Sequence, residues 1–368
     1  MTESFVRQKG TTTVLGSLVA RVLTGGWRHS LAPVQIEAGE LERVTPLLLR
    51  SGDAAIVWRR IRESSLNDSN VALALRQALR NNALHNLFHI DLLKRTVSHL
   101  RTVGIEAALV KGWSIARHYP EEGLRPYGDL DLCVRPEDYQ KASSALDDVT
   151  HQWGLVDLHS GFGKFYERNS DEVWRRTQLI MLDGVEVRVL CPEDHLRFLC
   201  LHLLRHGGIR PLWACDVAVA LENRAPDFAW DICLGTSRRE TEWIACALGI
   251  AHQLLGAEIA GIPVEQSARK VPRWVLSTVL KEWSVPYEIP PPMVTFLNRP
   301  AALVRELARH WPNSIEATIN LGGSYNAFPR WPYRLGDISV KAVRLLVQAS
   351  NNRQRARPTH SIQNTSSF

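Results

Sequence analysis

The sequence predicts an α+β fold: a small mixed β-sheet set between an N-terminal and a C-terminal helical region. Apolar residues recur at helical spacing on both sides of a central stretch, as in VLGSLVARVL and ALALRQALRNNALHNLFHIDLLKRTVSHL. Between Ile105 and Leu190 the apolar runs shorten to strand length and are bounded by turn residues. Within that stretch Asp183-Gly184, flanked by β-formers from Met181 to Leu190, marks a hairpin. With 368 residues and 45% apolar content, the chain is long enough for two or three units, each with its own core.

Taken in order, residues 1–95 read as a helical region broken by turns at Thr24-Gly25-Gly26 and at Leu66 to Asn70, where Ser69 or Asn70 suits a helix cap. Residues 96–191 read as the mixed core. Ile105 to Val110 is its first strand, Asp129 to Val134 its second and Gly154 to His159 its third, with a helix from Arg135-Pro136-Glu137-Asp138 to about Asp148 between the last two. Residues 192–348 return to helix. Pro192 with Glu193 and Asp194 fits a first turn, where proline loses no hydrogen bond and negative charge complements the helix dipole. Helical pattern continues to about Ala220, over Thr241 to Leu255 and Val275 to Lys281, stops at the loop Val285 to Pro292, and resumes at Val340 to Gln348. Residues 349–368 are polar and are expected to be disordered.

Composition limits the function classes. The net charge of +6 rests almost wholly on arginine, with only eight lysines, and is too small to define a nucleic-acid groove. Six cysteines form no CxxC pair and sit mostly in apolar runs, which reads as reduced core residues of a cytoplasmic protein. No signal-peptide pattern opens the chain, and its most apolar window, Trp243 to Val264, is interrupted by His252, Gln253 and Glu258, so no membrane span is expected.

The chemistry concentrates in LVKGWSIARHYPEEGLRPYGDLDLCV, residues 109–134. Asp129 and Asp131, two apart in an apolar strand, project from one face, where like charges repel unless a cation lies between them; such oxygen ligands suit Mg²⁺ bound with substrate phosphates. Upstream, Lys111-Gly112 ends an apolar run, so the glycine lets the backbone turn closely about a phosphate that the lysine can neutralise. Arg125 has two competing uses, a bidentate phosphate contact or a pair with Glu121 or Glu122. A third carboxylate would complete the site. Asp157, in Leu155 to His159, is flanked by apolar residues as the first two are, and an antiparallel neighbouring strand would bring it alongside; Glu186, in Val185 to Arg188, has the same alternation and competes with it.

The elements Lys111-Gly112-Trp113, Leu124-Arg125 and Gly128-Asp129-Leu130-Asp131 resemble the signature of the DNA polymerase beta-like nucleotidyltransferase superfamily, and within it a bacterial branch of largely uncharacterised nucleotidyltransferases. The similarity spans roughly residues 85 to 220. It implies that Lys111, Gly112 and Ser114 hold a nucleoside triphosphate, that Asp129, Asp131 and Asp157 bind two Mg²⁺ ions, and that a nucleoside monophosphate passes to an acceptor hydroxyl with release of pyrophosphate. Asp157 also matches the place where relatives carry an acidic residue followed two positions on by histidine, here His159. The turn is Lys-Gly-Trp with Ser114 one place beyond, a departure from the superfamily's Gly-Ser turn.

Three histidines, His195, His202 and His206, fall within one stripe of a helix at spacings of seven and four. Zinc would ask for further nitrogen or sulfur ligands, and the plainer reading is a polar stripe facing a cleft. With His159 and Asp216, His202 and His206 are candidates to line the nucleotide or acceptor pocket, and of the twelve tryptophans Trp113 is placed to stack on a base. Two other classes stay open: a toxin-like enzyme extending a transfer RNA end, which needs a basic groove, and a non-catalytic nucleotide-binding or interaction module of the same fold.

Overall fold

The structure is a computed structural model that describes residues 14–150, 155–163, 168–288 and 311–355. The chain divides into two compact units, Met1–Tyr287 and Glu288–Phe368. The larger begins with α1 (residues 14–23), α2 (Ala38–Ser51), α3 (Ala54–Ile61) and the long α4 (Ala72–Thr102). The first three bury Leu18, Val22, Leu41, Leu48, Ile56 and Ile61, the periodic positions of their apolar faces. The far end of α4 turns inward through Leu92, Leu93, Val97 and Leu100 and becomes one wall of the next core.

Against that wall lies a five-stranded mixed sheet of order β3-β2-β1-β5-β4. Its strands are β1 (Ala108–Leu109), β2 (Leu130–Val134), β3 (Val156–Ser160), β4 (Gln178–Leu182) and β5 (Val185–Val189), with α5 (Trp113–Ala116) after β1, α6 (Tyr139–Thr150) between β2 and β3, and α7 (Ser170–Arg176) before β4. The pleat sorts the side chains. Leu109, Leu130, Leu132, Val134, Val187 and Val189 face α4 and α6 in one apolar cluster, so the odd-numbered residues of β2, Asp131 among them, stand on the opposite face. Asp183 (φ 44°) and Gly184 (φ 83°) make the expected hairpin turn, both in the left-handed region that such a two-residue loop requires.

One strand expectation is corrected. β3 runs parallel to β2, not antiparallel, because α6 carries the chain back across the sheet before β3 begins. Leu130 N–H donates to Leu155 O at 2.8 Å and Gly161 N–H to Val134 O at 2.7 Å, which brackets the pairing. The first strand is also shorter than its apolar run, two residues that pair with both β2 and β5.

Beyond the sheet come α8 (Pro192–Arg205), α9 (Pro211–Glu222), α10 (Trp230–Leu234), α11 (Arg238–Leu255), α12 (Glu265–Ala268) and α13 (Arg273–Trp283). The helical pattern expected to about Ala220 is two helices, α8 and α9, separated at Gly207-Gly208. These two and α11 pack through Leu199, Leu203, Val217, Leu221, Ala247 and Leu248, all buried. The second half of the Val285 to Pro292 loop, residues 289–292, lies outside the described residues. In the smaller unit α14 (Ser314–Asn320) is capped by Asn313, whose side chain accepts from Ile315 and Glu316 N–H, and α15 spans Trp331–Arg355. Lys341 on α15 ties the two through Glu316. That last helix is longer than expected at both ends and takes in residues 349–355, where disorder was expected; the rest of the tail lies outside the described residues. All six cysteines are free and buried, and among the described residues no helix is long and apolar enough to cross a membrane.

Candidate active site

β1 delivers the chain to Lys111, and Gly112 turns it with φ 66° and ψ −119°, a conformation open essentially to glycine. A Cβ on Gly112 would lie 3.3 Å from the Tyr127 ring and 3.5 Å from Asp129 O, so the missing side chain also lets this turn press against the segment leading into β2. The close approach positions Lys111. Its Nζ is 2.8 Å from Asp131 Oδ1, a charge-assisted contact of ordinary length, on a lysine still partly open to solvent.

Asp131 is buried and in register with Asp157 on the parallel neighbour. Two residues along β3, His159 faces both, with Nε2 at 3.3 Å from Asp131 Oδ1 and 3.2 Å from Asp157 Oδ2. One ligand atom from each of Asp131, Asp157 and His159 falls within 4.8 Å of the others. Asp131 Oδ2 is buried with no hydrogen-bond partner among the described residues, so the cluster has an acceptor aimed at nothing. Asp129 precedes the strand on the same face, exposed and outside that group.

Electrostatics separates the two β2 carboxyls. Desolvation raises the Asp129 pKa above the ordinary carboxylate range, and the Asp131 charge raises it further. Burial would do the same to Asp131, but the hydrogen bond from His159 and the Lys111 ammonium outweigh it and hold the group below its usual range. Glu186 shares the face but not the place. β5 aligns Arg188 and Val189 with Ala108 and Leu109, while Asp131 lies beside Val110, so Glu186 is two strands away and about 13 Å back along the sheet at 3.3 Å per residue.

Other expected residues are placed differently. Ser114 is buried; its hydroxyl lies 3.2 Å from Val110 O and from Lys111 O and 3.3 Å from His195 Nε2, which turns it inward from the Lys111 side chain. Arg125 takes neither of its expected roles. It is buried and pairs with Asp216, Nη2 to Oδ2 at 2.7 Å and Nε to Oδ1 at 3.2 Å, while Glu121 pairs with Arg62 and Glu122 accepts from Asn86. Asp216 also accepts from Tyr119 Oη at 2.9 Å, so it is an internal anchor rather than pocket lining. Beside this pair Asp53 is wholly buried, and neither carboxyl oxygen has a hydrogen-bond partner among the described residues. Desolvation pushes its pKa up to about 7; Ser51 and Arg210 pull the other way, although the Ser51 hydroxyl hydrogen-bonds to Leu47 O at 2.9 Å.

The histidine stripe separates by environment. His195 is buried, its pKa pushed down to about 3 by desolvation and then by His118. His202 and His206 join a ring cluster, 4.5 Å apart between centroids and 4.7 and 5.1 Å from Trp213, which meets Tyr287 at 6.3 Å. Arg210 lies over both Trp213 and Tyr287 at 5.8 and 5.3 Å. Burial drives the His202 pKa well down, with His206 and then Lys111 adding to the effect, which places the His202 ring within electrostatic reach of Lys111. Arg210, Trp213 and Tyr287 have no sequence signal for this grouping beyond residue type.

The sequence matches the uncharacterised nucleotidyltransferase family over residues 37–155 and 148–256, more than half of the chain. The chain belongs to that family. No curated protein matches it. Among solved structures it is similar to an antigenic nucleotidyltransferase-like protein from Paracoccidioides brasiliensis, with 15% identity, a TM-score of 0.36, and coverage of 50% of this chain and 92% of that one.

Proposed function

We propose that the chain transfers a nucleoside monophosphate from a nucleoside triphosphate to an acceptor hydroxyl, with a divalent cation at the Asp131 face. The family supports the reaction class. The observation that carries the rest is Asp131, contacted by Lys111 and His159 and in register with Asp157, while its second oxygen is buried with no partner among the described residues.

The residues fit a cation on the chemistry of their donor set: two carboxylates in register on adjacent strands, a buried unpartnered oxygen and an exposed aspartate one pleat away. Asp131 and Asp157 would hold it, with Asp129 available to a second ion; Mg²⁺ is the ion the family resemblance implies. Bound there, a cation neutralises phosphate oxygens and lowers the pKa of the attacking hydroxyl. Lys111 places its ammonium on the phosphates as the backbone turns at Gly112. Asp157, half-exposed at the mouth of the site, accepts the proton of the incoming hydroxyl. The acceptor oxygen forms a bond to the α-phosphorus as the bond to pyrophosphate breaks, and both electrons of that bond leave with the pyrophosphate. Alignment and charge, not a covalent enzyme intermediate, carry the rate. The half-buried rings of Trp213 and Tyr287, with His202 and His206, offer a stacking surface for the base beside Lys111.

The test is calorimetric titration of the full chain with non-hydrolysable analogues of the four nucleoside triphosphates, with and without divalent cation, beside an Asp129→Asn/Asp131→Asn variant. Cation-dependent binding that disappears in the variant supports the reading. Absence of binding by the intact chain to all four refutes it and leaves the non-catalytic alternative.

A further inference from the structure

The contacts of His159 Nε2 with Asp131 and Asp157 are long for charge-assisted hydrogen bonds. A single Nε2–H shared between two oxygens makes at best a bifurcated bond, and separations of 3.2 and 3.3 Å lie at or beyond the long limit for N–H···O, longer than the 2.7 to 2.9 Å of a charge-assisted bond. The lysine beside it, at 2.8 Å, shows what a satisfied ion pair at this site looks like. The same separations are natural for metal ligands. Donors about 2.1 to 2.2 Å from an octahedral cation stand about 3 Å apart along each cis edge.

The surroundings also favour ligation. His159 is 5% exposed and Asp131 2%, so both hold their positions by packing, whereas Asp157 is open and gives an entering ion a path. Among the described residues Asp131 Oδ2 is buried with no hydrogen-bond partner even with Lys111 and His159 on the other oxygen, which leaves the carboxylate an acceptor open to a further cation. The parallel register fixes the spacing through the backbone, Asp131 opposite Asp157 and Cys133 opposite His159.

We infer that Asp131, Asp157 and His159 form a mixed oxygen–nitrogen site that takes a transition-metal cation such as Mn²⁺ in preference to Mg²⁺, separate from any oxygen-only position at Asp129. Magnesium favours oxygen donors and near-ideal octahedra, whereas an imidazole nitrogen raises affinity along the first-row transition series. The inference rests on the proposed reading of this face as a cation-dependent transferase site and names its metal class. The two ions of the transferase scheme are then unequal, one bound through nitrogen and one through oxygen alone.

The experiment uses the full chain, freed of metal by chelator and dialysis. Mn²⁺ is titrated in while the free-ion electron paramagnetic resonance signal is followed, in the absence and presence of a large excess of Mg²⁺. Pulsed resonance then reads the nitrogen coupling of the bound ion. The expected result is one tight Mn²⁺ per chain, resistant to Mg²⁺, with coupling from a single imidazole. In a His159→Phe variant the coupling disappears and Mn²⁺ affinity falls at least about tenfold, while Mg²⁺ affinity by calorimetry changes little. Bound Mn²⁺ without nitrogen coupling overturns the inference, as does equal loss of both cations in the variant. The wild-type coupling needs no variant, so misfolding of His159→Phe leaves the test intact. Cation-dependent triphosphate binding together with absent nitrogen coupling would remove this inference and keep the transferase reading; no binding of either cation would remove both.

Discussion

Replacing Asp53 with asparagine tests whether a buried, unpartnered carboxyl governs part of the stability of the larger unit. The folded carboxyl keeps its proton to about pH 7, against an ordinary value of 3.8, so between these limits the folded state binds more protons than the unfolded. Stability contributed by Asp53 is therefore greatest below the lower value, falls as pH rises through the interval, and levels off above about pH 7. A difference of roughly three units at about 1.36 kcal/mol each makes the charged carboxyl cost about 4 kcal/mol at pH 8. Two other groups titrate with the opposite sign. Burial holds His195 near 3 and His118 near 4, and each lends stability as pH rises toward 6.5. The wild-type profile alone is therefore ambiguous, but the His terms cancel in the difference between wild type and Asp53→Asn. Urea unfolding of both proteins from pH 4 to 8 should show near-equal stability at the acid end and an advantage for the variant that grows to as much as about 4 kcal/mol at pH 8. A difference that stays flat across the range would refute the argument, since Asp53 would then titrate alike in both states.

Breaking the Arg125–Asp216 pair with Arg125→Met should cost about 3–5 kcal/mol in urea unfolding, and adding Asp216→Leu should recover part of it, because the larger share is the price of a buried charge left alone. Gly112→Ala forces a methyl toward the Tyr127 ring in a glycine conformation; a loss of about 1–3 kcal/mol in denaturant midpoint is expected, with weaker triphosphate binding by calorimetry. Asp157→Asn should weaken divalent-cation binding about tenfold or more in calorimetric titration, while Glu186→Gln, at the other end of the sheet, leaves it unchanged. Equal effects of these two substitutions would contradict the placement of the site.

What could be read from the sequence was what neighbours in the chain decide. The Asp183-Gly184 hairpin depends on two residues tolerating positive φ, and the alternation through Leu130 and Leu132 placed Asp131 on the face away from the apolar core. The Lys111-Gly112 turn was visible for the same reason. Long-range choices were not. Arg125 had acidic residues four and three positions before it, yet the partner it found was Asp216 on a helix of the C-terminal region. Burial explains this: the guanidinium is held in the interior, where Asp216 and Tyr119 already stand, while Glu121 and Glu122 are engaged by Arg62 and Asn86. The direction of β3 depended on α6 returning the chain, and strand alternation is the same for parallel and antiparallel neighbours. Ser114 looked like a phosphate ligand from its position alone, and only the helical turn shows its hydroxyl directed back to Val110 and Lys111.

The parallel β2–β3 pairing also says where this chain can change length over evolutionary time. The spacing of Asp131 and Asp157 is set by backbone bonds between the strands, so residues added or lost between Val134 and Leu155 leave it untouched. An insertion of one residue inside β3, ahead of Asp157, would instead send that carboxylate to the apolar face. The two stretches that match the family overlap at residues 148–155, ahead of β3. Drift in length there and its absence from the strands is the pattern that a register-held pair of carboxylates would leave among its descendants.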